Sequence, residues 1–155
     1  MEKTKEQLVS EIRYAVRLTQ RTARLYRNIQ TTGTFLTILG GSAALASFAG
    51  NLPSWVLIAG AFLFTIAGAG LIAVRPADKA AMNEADVKRY QLLMSKAHAM
   101  ELTQLQTAIG EAHNGDAPEI EALRIVAYND VMDEINRQDQ QIPLSMSACL
   151  LRAFA

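Results

Sequence analysis

The sequence predicts an all-α membrane protein. A two-span transmembrane helical hairpin is expected at its centre, with a cytoplasmic N-terminal amphipathic helix before it and a cytoplasmic C-terminal helical region after it. Three observations predict this. Two apolar runs, residues 31–50 and 54–74, contain no Asp, Glu, Lys or Arg. Each is about 20 residues long, which at ~1.5 Å per residue matches the ~30 Å hydrocarbon core of a bilayer. The flanks carry apolar residues at helical spacing, with neither a strand pattern nor an internal repeat.

The first segment, residues 1–30, reads as a basic amphipathic helix. Leu8, Ala15, Leu18, Leu25, Tyr26 and Ile29 share one side at ~100° per residue. Arg13, Arg17, Arg21, Arg24 and Arg27 share another. Gln30, Thr31, Thr32 and Gly33 form a polar step into the first run, and the helix can continue straight through it. The hairpin, residues 31–75, follows. Gly50, Asn51, Leu52 and Pro53 make a connection so short that the two spans must be antiparallel. Gly and Asn suit the turn, and Pro53 suits the first turn of the next helix. Trp55 stands where amphipathic aromatics collect at a membrane interface.

Orientation follows from the basic residues. The connection has no Lys or Arg, whereas Arg21, Arg24 and Arg27 precede the hairpin and Arg75, Lys79, Lys88 and Arg89 follow it. By the positive-inside rule both termini are expected to be cytoplasmic.

Residues 76–137 read as a helical pair. A long helix is expected over 78–111, with Met82, Tyr90, Leu93, Ala97 and Met100 as its stripe and Leu102, Leu105 and Ile109 on a rotated face. His113, Asn114 and Gly115 break it. Asp116 is the expected N-cap of the next helix, Glu119 its capping-box partner and Pro118 a first-turn residue. That helix is expected to reach Asn136, with Ile120, Leu123, Ala127, Val131 and Ile135 on one face. Residues 138–155 complete the chain as a linker and a short amphipathic helix over 144–154.

The formal net charge is zero, which argues against bulk nucleic-acid affinity. The one cysteine, Cys149, cannot form an intramolecular disulfide. A signal peptide is not expected, because the first apolar run starts about thirty residues in and exceeds the usual apolar region of such a peptide. The Met1-Glu2 start and the Ala155 end carry no lipidation motif.

Catalytic chemistry finds little material. There is no phosphate-binding glycine loop, no nucleophile elbow, and no Cys or His pairing at ligand spacing. His98 and His113 read as surface or packing residues. Asp130, Asp133, Glu134 and Arg137 have i,i+4 spacings ordinary for a solvated helix face. No enzyme, cofactor or metal is expected.

Two sets of residues are better candidates for function. Thr34, Thr37, Gly41 and Ala44 share one face of the first span; Ala61, Thr65, Gly68 and Ile72 share one face of the second. Gly40, Gly60 and Gly70 add small positions. In lipid, close backbone approach between small residues drives helix association. These faces either pack the hairpin on itself or join subunits and line a pore. The arginine stripe is the second set. It reads as a solvated face that sets topology, as a contact for anionic lipid or an acidic partner, or as a basic ring at a pore mouth. No ionisable residue lies within either span, which argues against a proton relay or coupled transporter.

The layout resembles the SLATT family, two-span effector domains associated with SMODS and SLOG proteins in bacterial conflict systems. The local signals are Arg24, Leu25, Tyr26 and Arg27 before the first span, and Tyr128 with Asn129 in the late helix. Glu134, Ile135, Asn136 and Arg137 then stand where that family has Glu-Leu-Gly-Arg. The resemblance implies a membrane pore or a membrane-perturbing effector, bacterial or phage-derived, with its trigger supplied by a cytoplasmic sensor protein. With few residues per chain to cover the amphipathic arms, a homo-oligomer in the lipid bilayer is expected. The alternative is a non-conducting anchor or scaffold that recruits a protein through its cytoplasmic helices.

Overall fold

The structure is a computed structural model and describes residues 3–50 and 52–155. Asn51, expected in the span connection, and the Met1-Glu2 start lie outside the described residues. Every regular element among the described residues is helical, and none is a strand. The order is α1 (Lys5–Phe48), α2 (Ser54–Val74), α3 (Pro76–Ala97), α4 (Leu102–Asn114), α5 (Arg124–Glu134) and α6 (Met146–Phe154). Single 3₁₀ turns, Glu121–Leu123 and Gln138–Gln140, precede α5 and follow it.

The basic segment and the first apolar run form one helix. Nothing in the polar step breaks it: Thr31 returns its hydroxyl to the Arg27 carbonyl at 3.0 Å, and Gln30 donates to Thr34 at 3.2 Å. These one-turn bonds satisfy the side chains without taking a backbone partner from the helix. α1 ends where Gly50 turns to a φ of 76°. α2 ends on Arg75, left-handed at φ 50°, whose N–H closes on the Leu71 carbonyl at 3.0 Å. Pro76 then opens α3, where its missing N–H costs nothing.

The chain divides into two compact units: Tyr26–Asp78, and the residues up to Leu25 together with Lys79–Ala155. In the first, α1 and α2 pack closely. A methyl group on Gly40 would lie 2.6 Å from the Gly60 carbonyl oxygen and 2.7 Å from the Phe64 nitrogen. One on Gly60 would lie 2.7 Å from the Gly40 carbonyl oxygen. Only two glycines permit so close a backbone crossing. Large apolar side chains of this unit point outward, among them Phe35, Ile38, Leu45, Phe48, Trp55, Ile58, Phe62 and Ile72. One helical stretch among the described residues, within Ser54–Ala97, is long and apolar enough to cross a membrane. Only 6% of its most apolar part is buried, unlike the core helix of a soluble globule. The 31–50 run is diluted by threonine, serine and glycine and falls outside that description.

The second unit has two apolar clusters. Leu8, Ile12 and Ala15 of α1 meet Tyr90 and Ala97 of α3 and Leu105, Ile109 and Ala112 of α4. Further along α1, Leu18 and Leu25 meet Leu123, Ala127 and Ala155. Thr19 and Thr22 are buried on the same helix and return their hydroxyls to the Ala15 and Leu18 carbonyls, each at 2.8 Å.

Three expectations are corrected here. The long helix over 78–111 is two helices, broken at 98–101. Glu101 and Gln104 form the capping box that starts α4. Lys5 reaches the free carbonyls of the break, His98 at 3.0 Å and Met100 at 2.8 Å. The rotated face of Leu102, Leu105 and Ile109 marks this break. Asp116 does not cap a helix: residues 116–120 are irregular, and helical structure resumes only at Glu121. The next helix also ends at Glu134, short of Asn136, which takes a left-handed φ of 56°.

Candidate functional site

The arginine stripe and the acidic group of the late helix, read separately in the sequence, face each other. Arg13, Arg17 and Arg21 recur every four residues on α1, and Asp130 and Glu134 recur every four on α5. Run antiparallel, the two ladders coincide. Arg21 grips Asp130 with two hydrogen bonds, at 2.7 and 3.0 Å. One turn earlier on α1 and one turn later on α5, Arg17 donates to Glu134 at 3.1 and 2.8 Å. Arg13 reaches the other oxygen of Glu134 at 3.4 Å. The acidic side of α5 is thus not simply a solvated face. Asp133 accepts from Gln141 at 2.5 Å.

The stripe therefore divides. Arg13, Arg17 and Arg21 are charge-compensated. Arg24 is exposed at the rim of an open groove of about 440 Å³ that Arg17, Arg21, Asp130 and Glu134 also line. Arg27 is exposed and belongs to the other unit. With Arg13, Arg17 and Arg21 each answered by a carboxylate, the stripe presents a weaker positive field than its composition suggests.

The small residues of the apolar runs are sorted in the same way. Gly40 and Gly60, secondary in the sequence reading, form the crossing point, with Ala44 against it: its nitrogen would lie 2.9 Å from a methyl on Gly60. Thr37, Gly41 and Gly68 are partly buried beside the crossing. A methyl on Gly68 would meet Thr37 at 3.9 Å, and one on Gly41 would meet Phe64 at 3.1 Å. Thr34, Ala61 and Thr65 remain exposed, as do Gly70 and Ile72. The hydroxyls of Thr37 and Thr65 return to the Gly33 and Ala61 carbonyls at 2.8 Å.

The residues that carry the family resemblance have distinct places. Asn129 is buried and fixes the backbone of the linker: its amide donates to the Ile142 carbonyl at 2.7 Å and accepts from the Ile142 N–H at 2.9 Å. Glu134 holds Arg13 and Arg17. Tyr128 is half-buried, and Arg137 is exposed after the turn at Asn136.

A further polar cluster escaped the sequence reading. Asp86 and Arg89, one turn apart on α3, form an ion pair. Asp86 also accepts from the Ala117 N–H at 2.8 Å, while Arg89 donates to the carbonyls of Ala112 at 3.0 Å and Gly115 at 3.2 Å. Tyr90 donates to Asp116 at 2.5 Å, and its ring packs on His113 at 5.8 Å. These bonds pin residues 115–117 to α3, which is why Asp116 is unavailable as a cap. Burial is the main cause that raises the Asp116 pKa above the ordinary aspartate value, and the other Asp116 oxygen is buried without a hydrogen bond. Burial, followed by the bond to Asp116, also raises the Tyr90 pKa. The available signal was a charged pair, Asp86 and Arg89, next to the apolar stripe of α3.

Among the described residues no group of three or more His, Cys, Asp or Glu side chains is placed to hold a metal ion. No family model matches the chain, and no curated protein or solved structure matches it.

Proposed function

We propose that the chain is a two-span membrane protein that assembles with copies of itself and perturbs or permeabilises the bilayer, as its resemblance to the SLATT family implies. In this reading α2 and the apolar half of α1 are the spans, in a bacterial inner membrane with both termini cytoplasmic. A cytoplasmic sensor protein supplies the trigger. One observation carries the proposal: the surface of the α1–α2 pair is uneven. Bulky side chains such as Phe35, Phe62 and Ile66 face outward, whereas Thr34, Ala61 and Thr65 are exposed small residues beside the glycine crossing. Bulky apolar side chains suit lipid, and a small-residue flank suits a second helix pair.

Reconstitution into lipid nanodiscs and dye-loaded vesicles tests it. Native mass spectrometry should find an oligomer, and ions should cross the vesicle membrane. Replacing Thr34 and Thr65 by leucine should reduce both. A monomer that passes no ions would overturn the proposal.

A second reading, a non-conducting anchor for a cytoplasmic helical domain, is favoured by two contacts. The Thr37 and Thr65 hydroxyls are satisfied within their own helices, so that flank needs no water, and Arg13, Arg17 and Arg21 are answered by carboxylates. Stable membrane association without ion flux, with activity retained when an unrelated hairpin replaces residues 31–75, would select it.

A further inference from the structure

α6 is apolar on two opposite sides. Ala148, Leu151 and Ala155 point inward; Ala148 and Ala155 are buried, and Leu151 packs on the cluster around Leu18 and Leu123. This is the face that residues i, i+3 and i+7 share, and it explains why the segment folds onto the unit. The opposite side, Met146, Cys149, Leu150 and Ala153, follows the same helical spacing and is exposed throughout. Met146 is 87% and Leu150 64% accessible. The helix is fixed rather than loose: Ser145 caps it by accepting from the Ala148 N–H at 3.2 Å, and the Arg152 carbonyl accepts from Arg21 at 3.4 Å.

We infer that this outer face of α6 lies in the interfacial layer of an anionic bilayer, as a membrane contact additional to the spans. The inference rests on the membrane reading proposed above. Two arguments choose lipid as the occupant. The first is size. Weighting ~200 Å² for each large side chain by its exposure, Met146, Leu150 and Phe154 together offer roughly 400 Å², against ~800 Å² per partner for a stable protein interface. A shallow apolar face of that size is adequate for a bilayer, because a tethered segment meets its surface at high effective concentration. The second is charge. Residues 140–155 contain no Asp or Glu and one basic side chain, Arg152, which is exposed on the flank of the same helix. Anionic headgroups attract that arginine and meet no Asp or Glu side chain in this segment.

Cys149 is the one cysteine and lies exposed on this face, so a nitroxide attached there reports directly. The full chain is reconstituted into phosphatidylcholine vesicles with and without phosphatidylglycerol. Accessibility to oxygen and to a water-soluble nickel chelate is compared with that of a Met146→Ser, Leu150→Ser variant. Both substituted residues are exposed, so helix content and melting of the variant should equal those of the wild type. The expected result is a several-fold higher oxygen-to-nickel ratio for the wild type than for the variant, larger with phosphatidylglycerol. Equal ratios would overturn the inference, and so would spin–spin broadening that shows two Cys149 positions paired between copies. Alkaline carbonate extraction separates the two levels of failure. A wild type that stays in the membrane with an aqueous label refutes the α6 contact alone. A wild type that washes off refutes the spans and, with them, this inference.

Discussion

Arg21 and Asp130 are joined by two hydrogen bonds of 2.7 and 3.0 Å across 109 residues of sequence. Their side chains are only 18% and 16% exposed, so solvent screens the pair little. Removing either partner strands a charge in a partly buried place. Arg21→Ala or Asp130→Ala should each destabilise the helical unit by about 1–3 kcal/mol. Urea unfolding in detergent, followed by circular dichroism, measures this. The exchanged pair, Arg21→Asp with Asp130→Arg, should recover part of the loss. Glu134→Gln, at the exposed rung, should cost less than ~1 kcal/mol.

The crossing of α1 and α2 depends on two missing methyl groups. A Cβ on Gly40 or Gly60 would enter the opposite backbone, which cannot swing aside as a side chain can. Gly40→Ala and Gly60→Ala should each lower the stability of the helix pair by about 1–3 kcal/mol. A Cβ on Gly70 would meet nothing within 4 Å. Gly70→Ala should therefore be neutral or slightly stabilising, as expected for glycine replaced in a helix. Thermal melts of the three variants in one detergent give the comparison.

Asn129 holds both backbone groups of Ile142. Asn129→Ala leaves an N–H and a carbonyl of the linker without their partner. Hydrogen exchange should rise around Ile142, with a stability loss of about 1–2 kcal/mol. Protection in α2 should be unchanged.

The Tyr90–Asp116 pair makes stability depend on pH at both ends. The Asp116 pKa is raised in the folded chain, chiefly by burial, so folding favours its protonated form. That contribution is fully present below the ordinary aspartate value of ~3.9 and is lost as pH rises through the raised value. Asp116→Asn should remove this decline. Tyr90 is also raised, by burial first and by the bond to Asp116 second. Above pH ~10 the unfolded chain loses the phenol proton while the folded chain keeps it, so stability falls in alkali. Tyr90→Phe should remove the Tyr90 share of the alkaline decline and leave that of Tyr14, whose pKa burial also raises. Urea midpoints across the pH range check both signs.

Much of the local structure was legible in one dimension. A run of apolar residues without charge, or an apolar stripe every three to four residues, reports a helix wherever its partner lies. Leu8, Leu18, Leu105, Leu123 and Val131 were therefore placed on inward faces correctly, and all are buried. The kink at 98–101 left a trace as a rotated stripe. Asp116 was not legible in this way: a capping residue and a buried acceptor for Tyr90 are the same residue type, and only the position of α3 distinguishes them.

By itself the sequence determined that this chain is helical, that its apolar residues are concentrated in the middle, and which side of most helices is apolar. Those are properties of nearest neighbours along the chain, set by backbone sterics and the water-avoidance of each face. Only the tertiary structure decided that Arg21 meets Asp130, that Gly40 meets Gly60 ahead of the other small residues, and that α6 keeps an apolar side uncovered. These depend on register between distant helices. Many arginine–carboxylate and glycine–glycine pairings satisfy the same local pattern, and packing of the whole admits one of them.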